Sequence, residues 1–323
     1  MRHFNWRRTI RISIVTHAAE NALVGNRITT SRWSKILREL GHRVSVNRGI
    51  DDCDVFVAVH AEHCGSLLTA FRRKYPNRPA LLLLAGTDVY SSGGFSKRAI
   101  AAIDNASRLI TLEANAQLKL KSRWREKTNV IPQSAQVPKT IPPPLKSSFE
   151  IAVCANLRSV KQPFFAAQAA QRLPVESKIR INHYGSPLSA KMKTLARQWM
   201  EKSNRYHWLG SKEHWRCRSL IARSRVLVNT SLSESSANSI VESLVAGTPV
   251  LATRVLGNTA VLGTDYPGLF STDSISQLTD LMNRVESDSR FLGQIKKNCQ
   301  RLAKNHSRAA EKKAWRRLFA QLT

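Results

Sequence analysis

The sequence predicts an α/β protein with two domains, each built on a parallel sheet between helices. Short apolar runs of strand length alternate along the chain with longer segments whose apolar residues recur at helical spacing. A length of 323 residues is sufficient for two hydrophobic cores, and an apolar content of 42% is ordinary for a globular α/β protein. A proline-rich stretch near the middle interrupts the alternation, which then restarts.

The first predicted domain covers residues 1–137. Its strands are the short apolar runs, each followed by a loop and a helical segment. They are expected at residues 10–15, 43–46, 54–59, 80–85, 107–112 and 128–131. The first helix is expected to start near Thr29 and to end at Gly41.

Residues 138–148 are predicted to be a linker, because this proline-rich run cannot hold a helix or an inner strand. The second domain, residues 149–304, restarts the alternation. Its strands are expected at residues 150–155, 179–184, 206–209, 226–228 and 250–253. Residues 305–323 form a basic amphipathic helix, which could cross back to the first domain.

The formal charge of +29 permits three kinds of partner: nucleic acid, an anionic membrane surface, or small anionic substrates. Basic residues are spread over the whole chain, without a long basic tail with interleaved aromatic residues. We therefore expect no specific nucleic-acid binding, and only a weak attraction to anionic membranes. No apolar run approaches the ~20 residues of a membrane span.

The five cysteines are scattered and form no C-x-x-C pair, which predicts free thiols in a reducing compartment and a cytoplasmic protein. His60, His63 and Cys64 are close enough to suggest a metal site. No second ligand cluster has matching spacing, so we expect neither a metal nor another cofactor.

The most informative stretch is a strand, loop, helix and strand at residues 225–258. Glu234 and Glu242 have seven residues between them, and Asn238 lies four before Glu242 on the same helix face. This polar row lies at the carboxyl end of a strand, where open α/β sheets bind ligands. A carboxylate there can accept hydrogen bonds from a vicinal diol, and the N–H groups at residues 235–238 can bind an anion such as a diphosphate. The alternative is an exposed amphipathic helix with incidental glutamates.

Two cations lie three residues apart in the loop after the first strand of the second domain. Arg158 and Lys161 precede a helix that starts at Pro163. They could bind a diphosphate and stabilise the charge of a leaving group. The predicted diol and diphosphate site therefore comprises Arg158, Lys161, Glu234, Ser235, Ser236, Ala237, Asn238 and Glu242.

His60 and Asp88 each follow a strand of the first domain and are the candidate catalytic residues. Each has a structural alternative: Asp88 could cap the helix that follows it, and His60 could be a hydrogen-bonded structural histidine. Gly25, Asn26 and Arg27 form a loop that is not a G-x-G-x-x-G, so the dinucleotide fingerprint is absent. Arg27, at a helix start, could bind a phosphate group or only be solvated.

The Glu234–Glu242 spacing, followed five residues later by G-T-P, resembles the donor loop of nucleotide-sugar glycosyltransferases of the GT-B type. Several segments from both domains resemble the selenosugar synthases of selenoneine biosynthesis. They are residues 25–44, 85–90 (A-G-T-D-V-Y), 130–135 (V-I-P-Q-S-A), 157–164 (L-R-S-V-K-Q-P-F) and 233–252. The resemblance implies a GT-B fold, two Rossmann-like domains facing each other across a cleft.

The same resemblance implies an activity: joining selenophosphate to the sugar of UDP-N-acetylglucosamine, with release of UDP and phosphate. It implies a UDP-sugar donor in the second domain and selenophosphate in the first, where Gly25, Asn26, Arg27 and Thr87 would hold its oxygens. The selenium is already anionic, so it needs positioning more than deprotonation.

One departure from the family lies in the donor loop, where Glu-Gly-Gly-Ala-Asn is usual. Here Ser235 and Ser236 replace the two glycines, and serine side chains either add hydrogen bonds or crowd the sugar. Two other functions remain open from the sequence: transfer of a hexose to a hydroxyl group on a lipid or polysaccharide, and sequence-unspecific binding of nucleic acid by a basic α/β protein.

Overall fold

The predicted α/β class is confirmed by the structure, a computed structural model that describes residue 6 and residues 8–17, 25–90 and 93–322. These residues contain two six-stranded sheets in which every pairing is parallel. The chain divides into two compact units. The first holds residues 1–133 and 308–323, and the second holds residues 134–307.

The sheet of the first unit has the order β2-β1-β3-β4-β5-β6. Its strands are β1 (Arg11–Thr16), β2 (Arg43–Val46), β3 (Val55–Val59), β4 (Ala80–Leu83), β5 (Arg108–Thr111) and β6 (Thr128–Val130). The α-helices between them are α1 (Gly25–Glu39), α2 (Ala61–Lys74), α3 (Gly86–Val89), α4 (Lys97–Asn105) and α5 (Ser122–Arg125).

The sheet of the second unit has the order β12-β11-β10-β7-β8-β9. Its strands are β7 (Phe149–Cys154), β8 (Ile179–Tyr184), β9 (Tyr206–Trp208), β10 (Val226–Asn229), β11 (Val250–Thr253) and β12 (Leu269–Phe270). Its α-helices are α6 (Phe165–Ala170), α7 (Ala190–Lys202), α8 (His214–Arg223), α9 (Asn238–Ala246), α10 (Leu256–Leu262), α11 (Ile275–Ser287) and α12 (Ser289–Ala303). The last helix, α13 (Arg308–Ala320), belongs to the first unit.

The central strands are apolar on both faces because helices cover both sides of each sheet. Every residue of β3 and β4 is buried, as is every residue of β10 and β11. In such a sheet the following loops all emerge at the carboxyl edge, which is where the predicted site residues lie. No α-helix in the described part of the chain is both long and apolar enough to cross a membrane.

Helix α13 packs into the core of the first unit through Trp315, whose ring meets Trp33 edge-on at a centroid distance of 4.9 Å. Glu311, with 0% of its side chain exposed, accepts hydrogen bonds from Trp33 Nε1 at 2.8 Å and from Arg32 Nε at 3.1 Å. Arg32 also donates to Gln133 Oε1 at 2.9 Å. A buried carboxylate is tolerated only with such partners, so this network specifies where α13 docks.

We expect Glu311→Ala to destabilise the first unit by about 3–5 kcal/mol, because it leaves the guanidinium of Arg32 buried without its carboxylate. Urea unfolding followed by tryptophan fluorescence measures this, since Trp33 and Trp315 report on the same contact. The control is Glu126→Gln at an exposed position of the same unit. Equal unfolding midpoints for the two variants would contradict the assignment.

Candidate functional site

Glu234 lies at the carboxyl edge of the second sheet, in the loop between β10 and α9. Its Oε1 accepts hydrogen bonds from Ser231 Oγ at 2.6 Å and from Asn229 Nδ2 at 3.4 Å, and it forms an ion pair with Lys161 Nζ. Burial alone would raise the pKa of Glu234, but the charge of Lys161 and these hydrogen bonds hold it below its ordinary value. Glu234 is therefore a preorganised anion.

Lys161 ends a single 3-10 turn, Ser159–Lys161, whose backbone is tied to the β10 loop. Thr230 Oγ1 donates to the Lys161 carbonyl at 2.8 Å, and the Leu232 amide donates to the Val160 carbonyl at 2.8 Å. The two predicted cations consequently differ: Lys161 is inside, against Glu234, whereas the side chain of Arg158 precedes the turn at an exposed position. Arg158 is the cation placed to meet a ligand from solvent.

The two serines that follow Glu234 are both buried, Ser235 at 8% and Ser236 at 3% exposure. Ser236 has a φ of 61°, in the left-handed region where glycine is favoured. The Ser235 hydroxyl has no hydrogen-bond partner within the described part of the protein. Ala237 precedes α9 and has no side-chain acceptor for the first-turn N–H groups, and Asn238 is the first residue of that helix. The arrangement suits an anion at the start of α9.

Glu242, one turn further along α9, contacts a residue that the sequence did not single out. His214 Nε2 lies 2.5 Å from Glu242 Oε1, and the carboxylate is 10% exposed while the imidazole is 35% exposed. His214 is the first residue of α8. In the sequence, the only hint of His214 was a histidine shortly after Gly210. Its contact with Glu242 arises only because α8 packs on α9.

A buried polar network below the donor loop was also missed by sequence reasoning. Asn258, fully buried, donates from Nδ2 to Asn229 Oδ1 at 3.2 Å and to the Thr253 carbonyl at 3.0 Å. Thr253 Oγ1 donates to the Ser231 carbonyl at 2.5 Å. Beside it, a Cβ on Gly257 would lie 2.0 Å from the Glu234 carbonyl oxygen, so only glycine permits this close approach. The loop that carries Glu234 is thereby held in one position.

The loop after β7 is anchored by His183, which is buried in β8. Its Nε2 donates to the Ala155 carbonyl at 2.9 Å and its Nδ1 accepts from the Tyr206 hydroxyl at 2.8 Å. Burial lowers the pKa of His183 to about 4, against the weaker opposing effect of backbone hydrogen bonds to Ala155 and Pro163. The imidazole is therefore neutral at physiological pH.

The first unit brings His60, Asp88 and Thr87 together at the carboxyl edge of its own sheet. His60 Nδ1 lies 2.8 Å from Asp88 Oδ1, and its Nε2 lies 2.7 Å from Thr87 Oγ1. The Nδ1 contact is close but lacks hydrogen-bond geometry, so the ring's hydrogen bond is the one between Nε2 and Thr87 Oγ1. His60 has a φ of 88°, a strained conformation that is concentrated at functional sites.

Asp88 is itself buried and holds three backbone amides. Its Oδ2 accepts from Ala85 N at 2.8 Å and from Ala61 N at 2.9 Å, and its Oδ1 accepts from Glu62 N at 3.1 Å. The carboxylate thus caps the start of α2 while it orients His60. Asp88 thus caps a helix, although this is α2 and not the helix that follows it, and its catalytic role stays a prediction.

The predicted acceptor residues Gly25, Asn26 and Arg27 form the first turn of α1, which begins four residues before the predicted start. The Asn26 carbonyl accepts from Thr30 Oγ1 at 2.8 Å. The part of the preceding predicted loop at residues 18–24 lies outside the described residues. Among the residues that are described, no group of three or more His, Cys, Asp or Glu side chains could hold a metal ion.

Acid should destabilise the second unit through His183. A depressed folded-state pKa means that the stabilisation is complete above the unfolded pKa of about 6.5 and is lost as pH falls towards 4, by roughly 3 kcal/mol. We expect His183→Gln to remove this part of the pH dependence. Denaturant unfolding between pH 7 and pH 4 measures it, with His207→Gln as the control at a half-buried imidazole. Parallel pH profiles for wild type and His183→Gln would refute it.

Comparisons with known proteins concern the family and the fold of the chain. The model of the family "Glycosyl transferases group 1" matches residues 141–307, just over half of the chain. A search of the curated proteins found no significant match.

Among solved structures, HepE from Anabaena in complex with UDP and glucose matches with a TM-score of 0.79 and 15% identity, over 97% of this chain and 100% of that one. Sucrose-phosphate synthase from Thermosynechococcus elongatus matches with a TM-score of 0.80 and 15% identity, over 98% and 99%. The lipopolysaccharide outer core galactosyltransferase WaaB matches with a TM-score of 0.67 and 12% identity, over 97% and 100%. These matches confirm the predicted GT-B fold class. Together with the family match, they show that the chain belongs to the group 1 glycosyl transferases.

Proposed function

We propose that the protein is a UDP-sugar-dependent glycosyltransferase whose donor site is the carboxyl edge of the second sheet. The observation that carries the proposal is the pair of carboxylates on either side of the α9 N-terminus. Glu234 and Glu242 have seven residues between them, and each is held by its own partner, Lys161 or His214. Two HepE structures contain UDP, which supports a uridine nucleotide as the donor.

In this proposal each donor group meets a matching residue. Glu242, oriented by His214, accepts the hydroxyl groups of the ribose. The diphosphate is bound by Arg158, by the N–H groups at the start of α9 and by Lys161. These positive groups stabilise the charge of the departing UDP, so the reaction is proposed to need no metal or other cofactor. In this proposal Glu234 and the Ser235 hydroxyl bind the sugar.

For the acceptor we propose selenophosphate, on the strength of the sequence resemblance and of the +29 charge, which suits two anionic substrates. Selenium attacks the anomeric carbon, a C–Se bond forms, and the anomeric C–O bond breaks with its electron pair leaving on UDP. Water then cleaves the P–Se bond and phosphate is released. UDP-N-acetylglucosamine is the proposed donor, and the reducing cytoplasm is the proposed location.

A second candidate function is transfer of a hexose to a hydroxyl group on a lipid or polysaccharide. The Asp88–His60 pair favours it, because an imidazole beside a carboxylate is a suitable general base for a hydroxyl group. A selenium anion needs no such base. The two functions therefore differ in whether His60 is required for proton transfer.

The deciding experiment is anaerobic incubation of the purified protein with UDP-N-acetylglucosamine and selenophosphate, with mass spectrometry of the products. The isotope pattern of selenium in a sugar product, together with UDP release, supports the proposal. UDP binding without a selenosugar overturns the acceptor assignment and favours the hydroxyl acceptor. Failure to bind UDP or any UDP-sugar overturns the donor assignment as well.

His214→Ala should weaken UDP binding about tenfold and reduce the preference for UDP over 2′-deoxy-UDP, because Glu242 loses the hydrogen bond that orients it. Glu242→Gln should reduce that preference further. Calorimetric titration with both nucleotides measures the ratio. The control is His207→Ala, a half-buried imidazole elsewhere in the same unit. An unchanged UDP to 2′-deoxy-UDP ratio in Glu242→Gln would show that this carboxylate does not meet the ribose.

Arg27→Ala should raise the Michaelis constant for the acceptor tenfold or more and change that of the donor less than twofold, since a charge-assisted contact to one substrate is lost. The matched control is Lys35→Ala, which removes an exposed cation from the same helix. Steady-state kinetics with each substrate varied in turn gives both constants. An equal effect on the two substrates would rule out Arg27 as an acceptor ligand.

A further inference from the structure

Three imidazoles gather at the carboxyl edge of the first sheet. His17 follows β1, His60 follows β3, and His63 lies in the first turn of α2. In the parallel register Thr16 is opposite Val59, so His17 and His60 leave the sheet side by side. The ring centroids are 4.1 Å apart for His17 and His63, 4.3 Å for His60 and His63, and 5.2 Å for His17 and His60.

Only two of the three rings have nitrogens available for a ligand. His60 offers neither nitrogen, because Nε2 is hydrogen-bonded to Thr87 Oγ1 and Nδ1 is buried 2.8 Å from Asp88 Oδ1. The ring nitrogens of His17 and His63 have no protein partner within the described residues, and both side chains are exposed. His17 and His63 therefore present two unused imidazoles, nearly in contact, to the same side of the molecule.

Most charged groups around these two rings are already paired with other groups. Asp88 faces both rings, but its carboxylate holds three backbone amides and His60. Glu62 and Arg98 face His63, and they are paired with each other at 2.7 Å. The start of α2, where the helix dipole is positive, lies at His63. Among the described residues, the surroundings thus contain no carboxylate that is free to neutralise two imidazolium groups.

Protonating both rings is unfavourable in the free protein. Desolvation, followed by the charges of His63 and His60, lowers the pKa of His17, and desolvation, followed by the charge of His60, lowers that of His63. A bound anion would reverse the electrostatic part of this effect. Protonation and anion binding would then favour each other.

A metal ion fits this cluster poorly. Coordination would need nitrogen lone pairs that converge on one point, and Nε2 of His60 is already hydrogen-bonded to Thr87 Oγ1. No set of three suitable ligands is arranged for a metal in the described chain. Two imidazoles that can each become a cationic donor suit an oxyanion better.

We propose that His17 and His63 form a binding site for a tetrahedral oxyanion of the phosphate class, which takes up a proton as the anion binds. This deepens the proposed function and rests on it only for the identity of the anion: the phosphate group of the acceptor, held beside Thr87. The site makes acceptor binding tighter as pH falls from 7.5 to 6.

The test uses inorganic sulfate and phosphate as probes in calorimetric titrations of the full chain at pH 7.5, 6.75 and 6.0. Sulfate has a fixed charge in this range, so proton uptake, measured in two buffers of different ionisation enthalpy, reports on the protein. We expect the sulfate affinity to rise by up to tenfold per pH unit, which is the limit for one linked proton. Phosphate should compete with sulfate.

Three variants identify the residues. His17→Gln and His63→Gln should each weaken sulfate binding about tenfold and abolish proton uptake. His63→Lys keeps a permanent cation, so it should restore the affinity without restoring the pH dependence. His207→Gln, a half-buried imidazole of the other unit with a lowered pKa, is the control and should behave as wild type.

Absence of sulfate binding to the wild type, or binding that both glutamine variants leave unchanged, overturns the site. Zn²⁺ binding at His17 and His63 that excludes sulfate overturns it too. Proton-coupled sulfate binding with no selenosugar formed would sustain the site and refute the acceptor of the proposed function. Selenosugar formation without sulfate binding would refute the site and sustain the proposed acceptor.

Discussion

The site residues depend on one geometric constraint, which is that the strands of a parallel sheet all end at the same edge. Side chains far apart in sequence meet there without any direct signal between them. In the second unit, the constraint brings the turn after β7, which carries Lys161, to the loop after β10, which carries Glu234. In the first unit it sets His17, His60 and Asp88 beside one another.

Several buried carboxylates in this strongly basic chain pair with a cation from a separate element. Glu311 of α13 pairs with Arg32 of α1, and Glu150 of β7 accepts from Arg223 Nε of α8 at 2.8 Å. A carboxylate out of water is costly unless it is paired and hydrogen-bonded, so each pair penalises other arrangements of those elements. The ion pair between Glu234 and Lys161 connects two loops in the same way. There the pair also keeps a carboxylate ionised inside the protein.

The donor loop is rigid where a ligand would meet it. Asn258 and Thr253 hold its backbone from below, and Gly257 allows the chain to approach at a distance that no side chain would permit. The backbone of Ser236 is in the left-handed region, a conformation that costs glycine less steric strain than serine. Ser235 adds a buried hydroxyl that has no hydrogen-bond partner among the described residues, and in our proposal this hydroxyl contacts the donor sugar.

The sequence by itself determined the fold class, the places of most strands and the loops that carry the candidate residues, because apolar periodicity and turn residues are local properties. It placed the start of α1 four residues late and missed the two-residue strand β12, since helix starts and very short strands carry weak local signals. Only the tertiary structure decided which partners those residues have: Lys161 with Glu234, His214 with Glu242, Asn258 below the loop, and His17 beside His63. Those contacts join residues as many as 73 positions apart, and the packing of whole elements, rather than any short segment, sets such distances.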